Sequence, residues 1–374
     1  MLLQIVMPNG LELPVKNELK RKGFEKLNVR DGHIELEASL NEMYDLNMSL
    51  RCADRVFIVL KRFKARSFEE LFEGVNDFNW EEWMDEDARF LINGRSKNSK
   101  LFSVSNCQSI AEKAIVERLK KEYKKDWFDK TGSRFKILVD ILDDEVSLLL
   151  DSSGEGLHKR GYRLKTVEAP LRETMAASLI ELSYWNPKRN FYDPFCGSGT
   201  IAIEAAMMAC NIAPGIYRNY DCEYWKNSNK EIIEEVRNRL KEVVNKDLDI
   251  KIIASDINEL AIETAINNAK LLDLDSVITF ENNAFPSGKV TNDDCGVLIA
   301  NPPYGERLED LDTVEELYCE MGEWMKMMDK WSFYILTSHK FFEKLIDKKA
   351  SRKRKLYNGK IQVNYYQFYG PRPE

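Results

Sequence analysis

Three observations predict the fold class: an α/β chain whose C-terminal part is a doubly wound, mostly parallel sheet, preceded by an α+β region. After residue 165, short apolar runs take turns with helical periods, the pattern of strands joined by crossover helices. A glycine turn, DPFCGSGT, lies between one such run and a helical stretch, where a parallel strand hands over to its helix. The length, 374 residues, suits two or three domains at about 150 residues each.

In chain order, LLQIV opens as a strand and stops at the turn Pro8–Gly10. The spacing predicts a helix over Pro14–Lys22 with Gly23 as its C-terminal cap, a strand at His33–Glu37, a helix at Leu40–Leu50 and a strand at Arg55–Phe63. These make an α+β domain over residues 1–65. A second domain, 66–156, follows, with a helix at Phe68–Val75, a strand at Phe90–Gly94 and a helix at Ser109–Lys125. Lys136–Asp140 and Val146–Asp151 read as a hairpin. The segment DSSGEGLHKRGYR marks a domain edge, with a linker at about 157–170 opening a third domain, 157–374. There, strands are expected at Phe191–Asp193, Lys251–Asp256, Val277–Glu281, Gly296–Ala300, Phe333–Thr337 and Ile361–Tyr369. Helices are expected at Gly199–Cys210, Lys230–Val244, Glu259–Leu271 and Val314–Met328.

Composition excludes several classes. Seven scattered cysteines with no C-x-x-C pair, and three isolated histidines, argue against a metal site and for reduced thiols in a cytoplasmic protein. No signal peptide is read at Met1–Met7, and no apolar run reaches the length of a membrane span. Lys plus Arg (55) against Asp plus Glu (62) leaves a formal charge of −7, which taken alone argues against a nucleic-acid partner. The charge is unevenly laid out. Lys113–Lys136 holds nine basic and four acidic residues, Lys340–Lys360 nine and two, while Asp77–Asp87 holds six acidic and no basic. Nucleic-acid binding needs local patches rather than a basic total, so a confined footprint remains open beside the plain reading of solvated surface.

Three motifs carry chemistry. In DPFCGSGTIAIEAA an acidic residue, Asp193, ends a strand, and Gly197 and Gly199 let the backbone approach a ligand at a helix start. Neither G-x-x-x-x-G-K-[ST] nor a complete G-x-G-x-x-G is present, so phosphate-loop and dehydrogenase readings lose their fingerprint. In IIASDIN, Asp256 ends another strand, where a carboxylate suits ribose hydroxyls or, alternatively, serves only as a helix cap. In VLIANPPYGERL the two prolines stiffen the turn and fix the Pro302 carbonyl beside the Asn301 side chain. Two adjacent acceptors suit the two hydrogens of an exocyclic amine, and Tyr304 can stack on its base.

Taken in order, D-P-F-C-G-S-G-T, S-D-I-N and N-P-P-Y are similar to the amino methyltransferases that use S-adenosylmethionine. HKRGYRLKTVEAPLRETMAASLI, NIAPG and the closing KRKLYNGKIQVNYYQF resemble the bacterial large-subunit rRNA guanine-N2 methyltransferases that carry a THUMP domain, matching the N-terminal half of the fused K/L enzymes. That resemblance implies a Rossmann-like class I domain with a seven-stranded sheet behind a ferredoxin-like and THUMP region, S-adenosylmethionine as cofactor, and 23S rRNA or its large-subunit precursor as partner. Oligomeric state is left open. It implies cofactor contacts from Asp193, Pro194, Phe195, Cys196, Gly197, Ser198, Gly199 and Thr200, with Asp256 on the ribose and Ile257 against the adenine. Asn283 and Ala284 stand where relatives often carry an aspartate facing the adenine amine. Asn301, Pro302, Pro303 and Tyr304 would hold the target guanine, with no general base. RNA contacts fall to Lys120, Lys121, Lys124 and Lys125, and to Arg352, Lys353 and Arg354. Two alternatives remain: an adenine-N6 methyltransferase, which N-P-P-Y serves equally, and a non-catalytic RNA-binding assembly factor.

Overall fold

A computed structural model describes residues 1–163, 171–292, 295–304, 311–359 and 361–371. The N-terminal elements are β1 (Leu2–Val6), α1 (Glu12–Arg21), β2 (Asn28–Arg30), β3 (His33–Glu37), α2 (Leu40–Ser49), β4 (Arg55–Lys64), α3 (Phe68–Asn76), β5 (Arg89–Lys97), α4 (Val104–Tyr123), β6 (Arg134–Leu142) and β7 (Glu145–Asp151). Capping boxes start two of the helices: Ser39 with Glu42 for α2, and Ser67 with Glu70 for α3. All seven strands form one sheet, ordered β2-β3-β1-β4-β7-β6-β5. It does not stop near residue 65, because β4 pairs with β1 on one side and β7 on the other. Register explains why one face is apolar from β3 to β5. Leu36, Leu3, Ile58, Leu150, Ile137 and Ile92 stand opposite one another from β3 to β5, and the first five are buried.

The second half contains α5 (Glu173–Leu182), β8 (Asn190–Asp193), α6 (Thr200–Ala209), α7 (Lys230–Glu242), β9 (Ile252–Asp256), α8 (Glu259–Lys270), β10 (Ile278–Asn282) and β11 (Gly296–Ala300). It closes with α9 (Leu311–Met327), β12 (Trp331–Thr337), α10 (Phe342–Leu345), β13 (Arg352–Asn358) and β14 (Ile361–Phe368). Its sheet runs β10-β9-β8-β11-β12-β14-β13. Neighbours from β10 to β12 are parallel, β14 runs against β12, and β13 forms a hairpin with β14. Every residue of β11 and β12 is buried, as a parallel sheet covered on both faces requires. The chain leaves β8 toward β9 on one side and places β11 on the other, so the carboxyl ends of β8 and β11 form a switch point, where open α/β sheets bind ligands.

Candidate cofactor and amine site

At the end of β8, Asp193 is fully buried, and among the described residues neither carboxylate oxygen makes a hydrogen bond of ordinary geometry, although the Phe195 and Ala202 amides approach it. Burial pushes its acid up to about 8, with the Asp256 charge adding to the effect and the Phe195 and Ala202 amides opposing it. The turn that follows depends on glycine at two points. Gly197 and Gly199 have φ of +52° and +82°, and a Cβ on Gly199 would stand 2.9 Å from that of Ala265. Helix α6 starts at Thr200 with no side-chain cap, leaving its first amides open toward this turn. Cys196 lies inside the turn, and burial pushes its thiol well up, so it is no nucleophile at neutral pH.

Asp256, ending β9, ties the neighbouring loops together. One oxygen accepts from the Gly197 amide and the other from the Asn258 amide, each at 2.9 Å. Asn258, not Asp256, caps α8, accepting from the Leu260 and Ala261 amides, so the cap-only reading of Asp256 fails. Ile257 is left 77 % exposed, a large apolar side chain held open beside the glycine turn. Asn282 donates to the carbonyls of Asp256 and Ile257, each at 3.0 Å, and fixes this loop to the end of β10. Asn283 donates its amide to Glu281 at 3.3 Å, which turns its side-chain oxygen away from that carboxylate. A cavity of about 430 Å³ opens between Phe195, Ile257, Ala284, Phe285, Pro303 and Leu317. Phe195 and Phe285 stack at its edge, centroids 5.8 Å apart.

Beyond β11, Asn301 and Tyr304 are half-buried, Pro302 is buried and Pro303 is exposed on the cavity wall. The Tyr304 hydroxyl donates to Asn301 Oδ1 at 2.5 Å. This arrangement suits S-adenosylmethionine. The buried carboxylate has no cationic partner among the described residues, the glycine turn leaves room for a ligand close to the backbone, and the apolar slot has room for a flat ring.

Sequence reasoning missed Tyr318 on α9, whose hydroxyl donates to the Pro303 carbonyl at 2.8 Å. It also missed the role of the expected linker. Residues 157–163 of that segment are described, the rest lie outside the described residues, and several are buried rather than solvated. Arg160 pairs with the buried Glu204 of α6 at 3.3 Å, and Arg163 donates to Thr200 at 2.8 Å. The RNA-contact candidates fall in two separate places, the end of helix α4 and strand β13. Lys121, Lys124 and Lys125 are exposed at or beyond the end of α4, while Lys120 is half-buried against Glu117 and Lys125 pairs with Glu86. Arg352 and Lys353 are exposed on β13, where Arg354 is half-buried and Lys353 lies 4.6 Å over the Tyr366 ring. Among the described residues there is no cluster fit for a metal ion, and no helix is long and apolar enough to cross a membrane.

Comparison with known proteins fits this geometry. The RMKL-like methyltransferase domain matches residues 160–367, the THUMP domain 65–151, and the RlmL ferredoxin-like domain 3–57. YpsC of Bacillus subtilis, named as a candidate RNA methyltransferase, is 42% identical over 364 residues, covering 97% of this chain and 94% of its own. The ribosomal RNA large subunit methyltransferase K/L of Marinomonas sp. (strain MWYL1) is 30% identical over 98% of this chain, which spans only 52% of that relative's length. SMU.472, a candidate methyltransferase solved with S-adenosylhomocysteine, superposes with a TM-score of 0.91 at 38% identity, covering 100% of this chain and 99% of its own. A Listeria monocytogenes protein, named for N6-adenine DNA specificity, gives 0.92 at 44% identity over 99% of this chain and 96% of its own. With its buried strand-end carboxylate, open apolar slot and matching domains, the chain belongs to the RMKL-like family of S-adenosylmethionine-dependent class I methyltransferases, behind ferredoxin-like and THUMP domains.

Proposed function

We propose that the chain transfers a methyl group from S-adenosylmethionine to the exocyclic N2 amine of a guanine in 23S rRNA or its large-subunit precursor. The observation that carries this reading is the state of Asn301, whose side-chain oxygen is held by the Tyr304 hydroxyl beside the cavity. A base amine can replace that phenol as donor, which frees the Tyr304 ring to lie against the base. Asn301 Oδ1 and the Pro302 carbonyl then accept the two amine hydrogens. Accepting both draws the nitrogen lone pair out of conjugation with the ring and steadies the positive charge that develops there.

For the cofactor, Asp193 meets the ammonium of the methionine part, and Asp256 the ribose hydroxyls. Asp256 can do so while holding two amides, since a carboxylate offers about four lone-pair sites. Ile257, Ala284 and Pro303 flank the adenine, and the side-chain oxygen of Asn283 accepts from its amine, in place of the aspartate that the resemblance often implies there. Pro194, Phe195, Cys196, Ser198 and Thr200 shape the turn between. When bound, S-adenosylmethionine supplies a methyl already activated on a cationic sulfur, so the residues above bind and align and none need act as a general base. The THUMP match and the K/L relatives support an rRNA substrate. The Listeria protein's name favours a second reading, adenine N6.

Purified protein should transfer label from S-adenosylmethionine to protein-free large-subunit rRNA from a strain lacking the gene. Nucleoside digestion should then find N2-methylguanosine, and duplex DNA should stay unlabelled. Label on N6-methyladenosine sinks the guanine assignment. No label on either, with S-adenosylhomocysteine still bound, points to an RNA-binding assembly factor.

A further inference from the structure

Behind the Asn301–Tyr304 turn runs a chain of hydroxyls that plays no part in the reading above. Tyr318 has no exposed surface, yet its hydroxyl donates to the Pro303 carbonyl at 2.8 Å and lies 2.9 Å from Thr337 Oγ1. A phenol has one proton, and that proton faces Pro303, so at Thr337 the phenol must accept. Thr337 Oγ1 in turn accepts from the His339 amide at 3.0 Å. Direction is therefore set along the whole chain, from the His339 N–H through Thr337 and Tyr318 to the Pro303 oxygen, and each bond polarises the next. Burial pushes the Tyr318 phenol up to about 12, so it stays a donor.

The supports are rigid. Thr337 is the fully buried last residue of β12, and the Tyr318 ring is walled edge-on by Phe342 and His339 at 5.0 and 5.5 Å. The turn it holds has few free torsions, because each proline ring locks its φ near about −65°. Anchoring the Pro303 carbonyl removes one of the few that remain. That restraint is passed back through the locked prolines to the Pro302 carbonyl and to Asn301.

We propose that Tyr318 is a positioning residue: its hydroxyl, oriented by Thr337, sets the angle at which Asn301 Oδ1 and the Pro302 carbonyl meet the target amine. This rests on the reading of those two groups as amine acceptors. A buried tyrosine needs some partner for its hydroxyl in any protein, so the test must separate alignment from mere satisfaction.

The full-length chain carrying Tyr318→Phe is assayed with S-adenosylmethionine and protein-free rRNA from a strain lacking the gene. Expected is a fall in kcat of about 10- to 100-fold, the scale of a small misplacement of reacting groups. The dissociation constant for S-adenosylhomocysteine should stay within about twofold, since the Tyr318 hydroxyl holds only the backbone carbonyl of Pro303 and leaves in place the proline ring that lines the cavity. Thr337→Val should also lower kcat, and Thr337→Ser, which restores the hydroxyl, should recover it. An unchanged kcat in folded Tyr318→Phe overturns the proposal, as does a fall matched by an equal loss of S-adenosylhomocysteine binding. Should Tyr318→Phe fail to fold, the threonine pair decides, and equal kcat in Val and Ser variants overturns it. Asn301→Ala keeps the two readings apart: full transfer by that variant removes the acceptor assignment itself, whatever Tyr318 does.

Discussion

The two halves of the molecule treat buried carboxylates differently. In the N-terminal half, Glu18 accepts from the Arg51 and Cys52 amides at 2.8 and 2.9 Å. Glu35 is held by Asn28 and Arg62, and Asp151 by the Ser153 and Gly154 amides together with Arg55. In the C-terminal half, Asp193 is as deeply buried, and among the described residues it meets no cation and no hydrogen bond of ordinary geometry, the Phe195 and Ala202 amides only approaching it. Leaving a buried carboxylate without partners costs a few kcal/mol, which folding alone gives no reason to keep. The first half uses its acids to build a sheet. The second keeps one in reserve for a ligand.

That division predicts where substitutions bite. The largest effect is expected on transfer itself: Asn301→Ala should lower the rate by about 10²- to 10³-fold, the loss typical of one fixed group facing developing charge. Cofactor affinity, measured by calorimetry, should change by no more than about twofold. Lost cofactor binding would show that Asn301 belongs to the other half of the site.

Asp193→Asn should do the reverse. It removes the cost of burying an acid that is ionised when unfolded, so the ligand-free protein should melt a few degrees higher near neutral pH, while S-adenosylhomocysteine affinity should fall by about 10²-fold. Weaker thermal stability with affinity retained would mean that Asp193 is structural. The same acid sets the pH dependence. Its folded value, about 8, lies above the ordinary 3.8, so the ligand-free fold is favoured while Asp193 is protonated and loses that advantage as pH rises from 3.8 to about 8. A cationic ligand favours the charged form instead. Affinity should therefore rise with pH, by up to about tenfold per unit, and level off near the folded value. Asp193→Asn should flatten that rise, and a wild-type profile flat between pH 6 and 8 would contradict the assignment.

Much of this site is legible because its signals are local. Gly197, Gly199, Pro302 and Pro303 punctuate the sequence where backbone geometry demands them, and the expected strand Gly296–Ala300 matches β11 to the residue. The resemblance carried by these motifs also agrees with the matched domains. What escaped depends on distant partners. Three exposed residues, Asn28, Val29 and Arg30, form β2 only because β3 lies alongside, and so short a run carries no periodicity to mark it. Helix α4 starts five residues earlier than expected, since Ser103 offers no side-chain cap and the first turn is polar. The spacing of α9 marks Tyr318 as inward-facing, but its hydroxyl partner, Pro303, lies 15 residues away across a turn. The hydrophilic stretch at 157–163 reads as solvated until Glu204 and Thr200 are placed against its arginines.

The smallest effect, and the sharpest check on the division of labour, is expected on α4. Lys121 and Lys124 are exposed near its C-terminal end and pair with no described residue, whereas the Lys120 ammonium stands 3.4 Å from Glu117. Cations without a partner carry condensed counterion release at little cost, so they are the ones to test against a phosphate backbone. Replacing both by alanine should weaken rRNA binding about three- to tenfold at moderate salt and reduce the slope of log affinity against log salt by about one to two. The rate at saturating rRNA should be unchanged, because neither lysine faces the Asn301 turn. Asn301→Ala should give the mirror image, with normal binding, a normal salt slope and transfer slowed by about 10²- to 10³-fold. An unaltered slope in the double variant would return the α4 lysines to the role of solvated helix end, and would shift the RNA footprint to the other basic strip, Arg352–Arg354 on β13.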